Sequence, residues 1–331
     1  MTMRRRSVLG LGVTALMAWI AVFAQPTART YRIGFLTPRS APVSGNTDAF
    51  SEAFERGLRE RGYVAGQNLR VEWRYADGNY ERLNSLADEL VRLNLELIVV
   101  YGTAAAVALK RVAGTLPIVI TAAVDPVGSK LVDSLARPGS NVTGLSAIGG
   151  DLSAKHLELL KTLLPTLASV GVLTHPDNPA HLGVIENVRA AAQQLGIVVV
   201  PVSARAPNEI DAAFAAMVHA RAGAAIVATD AFFSGQGQRL AGLSIRHRIP
   251  TISTYREHVI AGTLMSYGQN IAAFHALAAT YVDRILKGAK PADLPMEQPT
   301  RMELLIRRSA AKSLKLAVPQ ELLLRANEVI E

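Results

Sequence analysis

Short apolar runs alternate with amphipathic stretches along the chain from Tyr31 onward. The apolar runs are nearly continuous, as in Leu97 to Tyr101 and Ile118 to Ala122. Such runs are typical of parallel strands that are covered on both faces. Apolar residues recur at helical spacing between them, and glycine or proline ends most segments. In the first half, this pattern predicts strands 31–36, 69–74, 97–101 and 118–122 and helices 48–61, 81–94 and 104–112.

The same alternation resumes in the second half of the chain. It predicts helices 152–164, 179–195, 209–220, 238–246 and 270–286, a helical tail 319–330, and strands 169–173, 197–202, 224–228, 251–253, 263–267 and 303–306. Helices that follow strands in turn indicate parallel sheets with helices on both faces. Two such series of similar length predict an α/β protein with two Rossmann-like lobes.

The stretch Arg137 to Ser146 separates the two series and predicts a crossover that can bend. A Pro-Gly pair ends the preceding pattern, and Gly144 permits dihedral angles that other residues rarely adopt. Segments 267–270 and 288–299, the latter with three prolines, predict two more crossings. We therefore expect three hinge segments between lobe 1, residues 30–144 and 270–298, and lobe 2, residues 145–269 and 299–331.

Residues 1–24 predict a secretory signal. Three arginines, Arg4 to Arg6, precede the apolar run Val8 to Phe23, and small residues favour cleavage after Ala24. The run is shorter than the roughly 20 residues that span a bilayer. The paired arginines leave open whether export uses the Sec or the twin-arginine route. We therefore expect a periplasmic protein.

Composition excludes several classes of function. The formal charge of +8 falls to +5 without the three signal arginines, and it is too dispersed to indicate nucleic-acid binding. Cysteine is absent, which excludes disulfides, thiolate catalysis and a lipidated N-terminal cysteine. The seven histidines show no metal-binding spacing and no associated acid, and neither a nucleophile elbow nor a phosphate loop is present. We expect no enzyme activity, no metal and no cofactor.

Ligands of open parallel sheets bind beyond the carboxyl ends of the strands. In the first half this rule selects the loop Thr37 to Ser40, the helix start Gly102 to Ala105, and Asp125. In the second half it selects loop 175–178, Asp230 and Tyr255. The predicted ligand-binding residues are Thr37, Ser40, Gly102, Thr103, Ala104, Ala105, Asp125, Asp230 and Tyr255.

Three of these residues have two interpretations each. Thr103 either caps its helix or offers its hydroxyl to a ligand, while the free N–H groups at that helix start attract an anion. Asp125 and Asp230 either receive an ammonium group or a sugar hydroxyl, or cap a turn or helix. The neighbouring Phe232 and Phe233 either pack in the core or stack on a planar ligand.

Three sequence signatures carry a resemblance. They are DPVG at 125–128 followed by LARPGSNVTG at 135–144 and KHLELLK at 155–161, then GTLMSYG at 262–268, and finally ILKGAKPADLPMEQPT at 285–300. Together they resemble the ABC transporter substrate-binding family with the type 1 periplasmic-binding fold, in the branch that includes tryptophan and tyrosine binders. Where relatives usually read Ile-Asn-Leu-Lys-Thr-Ala, this chain has Ile306 to Ala311 as IRRSAA.

The resemblance implies lobes that close on a small molecule and a closed form that docks on an inner-membrane ABC permease. A monomer is the default expectation for a protein that must hinge freely. It implies that an amino-acid carboxylate meets the helix start at Thr103 and that Asp230 or Asp125 holds the ammonium. A ligand sensor and an extracytoplasmic enzyme on the same scaffold are the alternatives. A transcription regulator would need a helix-turn-helix at the position where this chain has its predicted signal.

Overall fold

The computed structural model describes residues 29–42, 48–148 and 150–331. The predicted signal, residues 1–24, lies outside the described residues. The described chain forms two α/β lobes, each built on its own sheet, which confirms the predicted fold class. Within the part of the chain that the structure describes, no helix combines the length and the hydropathy that a membrane span requires.

The sheet of lobe 1 has five parallel strands in the order β2-β1-β3-β4-β5. The strands are β1 (Tyr31–Thr37), β2 (Leu69–Tyr75), β3 (Leu97–Tyr101), β4 (Ile118–Val124) and β5 (Val142–Ala147). Its helices are α1 (Ala49–Arg59), α2 (Arg82–Val91), α3 (Thr103–Val112) and, from later in the chain, α10 (Ile271–Leu286). Every residue of β3 is buried, as its continuous apolar pattern predicts.

The sheet of lobe 2 has seven strands in the order β12-β11-β10-β9-β8-β6-β7, and only β10 and β11 pair antiparallel among them. The strands are β6 (Ser169–Thr174), β7 (Val198–Ser203), β8 (Ala224–Val227), β9 (Thr251–Ser253), β10 (Met265–Gly268), β11 (Glu303–Arg307) and β12 (Glu328–Ile330). The remaining helices are α4 (Gly150–Leu163), α5 (His181–Leu195), α6 (Pro207–His219), α7 (Ala231–Ser234), α8 (Gly237–His247), α9 (Arg256–Ala261), α11 (Arg308–Ser313) and α12 (Gln320–Arg325).

The predicted bending crossover at 137–146 differs from the structure. Val142–Ala147 forms β5, a fully buried strand paired with β4, and the predicted lobe boundary after residue 144 falls inside it. Gly144 has φ 127°, and a Cβ there would lie 2.1 Å from the carbonyl oxygen of Ile120. The absence of a side chain at Gly144 therefore allows β5 to pack closely against β4, and it does not indicate a bend. The chain leaves the first sheet only after Ala147.

The chain passes from one lobe to the other three times, and one side chain forms hydrogen bonds to two of these three passages from the other one. Gln269, between β10 and α10, accepts a hydrogen bond from the Ile148 backbone N–H at 2.8 Å. Its amide group also donates to the Pro299 carbonyl. These three residues lie on the second, first and third passages respectively. The Gln269 side chain therefore links the three passages by hydrogen bonds.

The end of the chain also differs from its pattern. The predicted helix 319–330 is broken, since α12 ends at Arg325 and residues Glu328–Ile330 pair with β11 as β12. The Asn327 side chain accepts a hydrogen bond from the Leu304 backbone N–H, which supports this turn into the sheet. A three-residue edge strand has too little periodicity to be predicted from sequence.

Candidate ligand-binding site

The carboxyl ends of both sheets face each other across a cleft. Between them lies a small cavity, which we call the inner cavity. Loops from both lobes form its walls, as expected for parallel sheets. Its lining residues are Tyr80, Tyr101, Gly102, Thr103, Ala122, Val124, Ala147, Asn178, Thr229, Asp230, Ala231, Tyr255 and Ile271.

Asp230 is the central polar group of the lobe 2 wall. It follows β8 and caps the short helix α7, where its Oδ1 accepts from the Phe232 N–H at 2.7 Å. Its Oδ2 accepts from the Asn178 side-chain amide at 2.6 Å. The side chain is fully buried. Both interpretations of Asp230 are therefore compatible with one position, since the capping carboxylate also lines the cavity.

Tyr80 of lobe 1 reaches across the cleft to the same carboxylate. Its hydroxyl donates to Asp230 Oδ1 at 2.6 Å. Its ring stacks on His175 of lobe 2, with centroids 3.8 Å apart and planes at 17°. Burial, followed by the neighbouring Asp230, raises the pKa of Tyr80 well above its usual value, so the phenol remains a donor. The two lobes thus contact each other directly.

A second pair of tyrosines forms the floor of the inner cavity. Tyr255 donates to the Asp230 backbone carbonyl at 2.8 Å, and Tyr101 of lobe 1 donates to the Tyr255 hydroxyl at 3.3 Å. Burial raises the pKa of Tyr101 to about 12 and that of Tyr255 well above its usual value. These hydroxyls stay protonated and extend the polar contact between the lobes.

The start of α3 forms the facing wall in lobe 1. Gly102 has φ 93°, and a Cβ there would lie 3.0 Å from the Ala231 Cβ of lobe 2. No side chain caps α3. The Thr103 hydroxyl donates to the Val124 carbonyl and accepts from the Val124 N–H, both at 3.0 Å. These two bonds hold the start of α3 to the end of β4.

Four of the nine predicted site residues line the inner cavity: Gly102, Thr103, Asp230 and Tyr255. The other five lie outside it. Thr37 is buried and accepts from the Arg39 N–H, and Ser40 is exposed. Ala104 borders an adjoining groove, and Ala105 packs in the core.

Asp125 occupies a turn rather than the inner cavity. It is exposed, has φ 46°, and its Oδ1 accepts from the Gly128 N–H at 2.9 Å. This arrangement matches the turn-capping interpretation. The carboxylate borders the cleft from outside, beside the end of β4.

Sequence reasoning missed Tyr80 and the surroundings of two histidines. His181 Nε2 lies 3.7 Å from Asp230 Oδ2, so the statement that no acid accompanies the histidines is wrong. His181 Nδ1 accepts from the His175 N–H at 2.8 Å. Burial lowers the pKa of His175. In the described part of the chain, no group of three or more acidic or histidine side chains is arranged to hold a metal ion.

Comparison with known proteins identifies the family of this architecture. The model of the family described as ABC transporter substrate binding protein matches residues 40–330. A tyrosine-binding protein of Clostridioides difficile strain R20291 is 26% identical over 268 residues, which cover 81% of this chain and 76% of that protein.

Two solved structures have similar folds. A conserved domain protein of Vibrio cholerae O1 biovar eltor strain N16961 superposes with a TM-score of 0.82 at 28% identity, covering 91% of this chain and 100% of that one. An ABC domain in complex with L-Trp from Streptococcus pneumonia gives a TM-score of 0.80 at 26% identity, with the same coverage. The resemblance drawn from the three signatures is thereby confirmed.

Proposed function

Because the chain belongs to the ABC transporter substrate-binding protein family, we propose that it binds an amino acid in its inner cavity outside the cytoplasm. The closed complex then delivers the ligand to the permease of an ABC importer. The observation that carries this proposal is that both lobes contribute polar groups and aromatic rings to the lining of the inner cavity. The ligands named for two relatives, tyrosine and L-Trp, support an aromatic amino acid.

The charges of an amino acid suit the two walls. The α3 start presents N–H groups and the positive end of a ten-residue helix, which favour a carboxylate. An ionised carboxylate has about four acceptor positions, and protein donors use three on Asp230, from Tyr80, Phe232 and Asn178. We place the ligand's ammonium group at Oδ2, which accepts one protein hydrogen bond and lies 3.7 Å from His181 Nε2.

Closure converts binding into a signal. A ligand that contacts both lobes stabilises the closed state by its additional contacts there, and the permease distinguishes the two states. Closure by itself requires no chemical change in the ligand. We therefore expect L-tyrosine and L-tryptophan to be recovered unchanged after long incubation with the protein. Conversion of either would favour the enzyme alternative.

Thermal unfolding of the protein without its predicted signal tests this function. A ligand at about 100 times its dissociation constant adds about 2.7 kcal/mol to the free energy of unfolding, provided that it binds only the folded state. We expect such a stabilisation with aromatic amino acids and none with sugars or purines. No stabilisation by any amino acid would refute the proposed ligand class.

Asp230→Ala tests the site within that assay. The variant removes the acceptor for the ligand and also the cap of α7, whose loss costs about 1 kcal/mol. We expect a lower melting temperature but an unchanged fold, and a much smaller stabilisation by ligand. Unchanged affinity in calorimetry would exclude Asp230 from ligand binding.

A further inference from the structure

A second space adjoins the inner cavity on the side of the connecting passages. This outer groove, as we call it, is larger than the inner cavity and is open to solvent. The first and third passages border it at Ile148 and Gln298, and α5 forms its opposite side. Its lining residues are Val124, Asp125, Ala147, Ile148, Pro179, Ala180, Gly183, Val184, Asn187 and Gln298.

Two small aliphatic residues separate the outer groove from the inner cavity. Val124 and Ala147, at the ends of β4 and β5, line both spaces. Neither side chain has a polar group that could hold it in place by hydrogen bonding. The backbones of the two residues are fixed, because Val124 and Ala147 are register partners in the β4–β5 ladder. Only their small apolar side chains lie between the two spaces.

The opposite exit of the inner cavity is more firmly closed. Tyr80 separates it from a groove beside α2 and α3, since it lines both spaces. The Tyr80 ring is fixed by its hydrogen bond to Asp230 and by stacking on His175. A ligand that extends beyond the inner cavity meets less resistance at Val124 and Ala147 than at Tyr80.

The chemistry of the outer groove favours a ligand end that donates hydrogen bonds. No lining residue is basic, and Asp125 contributes an exposed carboxylate. The Gln298 amide nitrogen donates to Ser146 Oγ at 3.1 Å, so its carbonyl oxygen is the group left to accept. An ammonium group suits Asp125 and the Gln298 carbonyl oxygen better than a carboxylate does.

We propose that the ligand is elongated. Resting on the proposed function, this inference places the amino-acid end in the inner cavity and the far end of the side chain in the outer groove. That end passes over the side chains of Val124 and Ala147 and terminates in an amine or another hydrogen-bond donor near Asp125. The substrate class is thus an amino acid whose side chain is extended and ends in a cationic or donor group.

Gly183 offers a way to fill the outer groove without disturbing the core. It lies on α5 and is exposed, and a Cβ there would meet no atom within 4 Å. Gly183→Leu therefore adds bulk to the groove, and leucine has a higher helix propensity than glycine. Gly242, on α8, is likewise exposed and unobstructed. Gly242→Leu is the matched control, because it lies outside the groove.

Calorimetry with L-tyrosine, O-methyl-L-tyrosine and O-(2-aminoethyl)-L-tyrosine separates the possibilities. We expect the aminoethyl probe to bind at least tenfold more tightly than L-tyrosine. Gly183→Leu should abolish that gain while leaving L-tyrosine affinity within about twofold, and Gly242→Leu should change neither. Asp125→Asn retains an acceptor for Gly128 and should weaken only the aminoethyl probe.

The outcomes also distinguish this inference from the proposed function. If L-tyrosine binds but the aminoethyl probe binds equally or more weakly, the outer groove is not a subsite and the proposed function stands. The inference also fails if the gain survives both Gly183→Leu and Asp125→Asn. If no member of the series binds, the aromatic amino-acid assignment and the elongated ligand are both refuted.

Discussion

The contact of Tyr80 with Asp230 joins one lobe to the other, so Tyr80→Phe should favour the open state. The variant keeps the ring that stacks on His175 and removes only the hydroxyl. Loss of a buried hydrogen bond that leaves its acceptor underused costs about 1–3 kcal/mol. Because Asp230 Oδ1 keeps the Phe232 donor, we expect the closed state to lose about 1–2 kcal/mol of stability relative to the open state. The ratio of closed to open molecules should then fall by about 5- to 30-fold.

Fluorescence energy transfer between the lobes measures this ratio. The chain has no cysteine, so two introduced cysteines label without side reactions. Gln67 in lobe 1 and Lys312 in lobe 2 are exposed positions for them. Tyr63→Phe is the matched control, because Tyr63 donates to Asp283 at 3.0 Å within lobe 1. It should lower stability and leave the lobe separation unchanged. An unchanged separation in Tyr80→Phe as well would refute the closing role of Tyr80.

Two predictions concern the fold. Gly144→Ala should lower the free energy of unfolding by several kcal/mol, because the added Cβ would overlap the Ile120 carbonyl and φ is positive. Gly242→Ala is the control, because the space around Gly242 is open. Equal stability of the two variants in denaturant melts would refute this packing. Burial lowers the pKa of His156, His258 and His275 to about 4. As the pH falls, the unfolded chain, with a histidine pKa near 6.5, therefore binds protons before the folded chain does. The free energy of unfolding should be greatest above about pH 6.5 and decrease toward pH 4. Denaturant melts that coincide at pH 7 and pH 5 would contradict this.

The central strands β3, β4 and β8 were predictable because burial on both faces leaves a continuous apolar run. The same rule failed to place β5 correctly. Val142 to Ala147 contains Thr143, Gly144 and Ser146, so its six buried positions do not read as an apolar strand. Thr143 is buried because its hydroxyl donates to the Leu294 carbonyl, 151 residues away. A partner so distant in sequence cannot be inferred from local pattern.

The candidate site was predictable only where it obeys the strand-end rule. Asp230 and Tyr255 follow strands β8 and β9 and line the inner cavity. Tyr80 lies five residues beyond β2, the edge strand of its sheet. Its loop reaches the cavity because the lobes pack together there, with Gly78 against the Phe232 ring. That packing depends on the relative position of two lobes, about which neither lobe's own sequence pattern carries information.

The closing contact and the proposed ligand contact share one carboxylate, and this makes their effects interdependent. If the ligand's ammonium group and the Tyr80 hydroxyl both donate to Asp230, removing either group changes the free energy that the other contributes to ligand binding. A double-mutant cycle tests this with L-tyrosine and 3-(4-hydroxyphenyl)propionate, which lacks the amine, on the wild type and Tyr80→Phe. We expect a coupling energy of about 0.5–3 kcal/mol, the range for groups in one hydrogen-bond network. The same cycle with Tyr63→Phe should give additive effects. Additive effects with Tyr80→Phe would mean that the ammonium group binds elsewhere than Asp230.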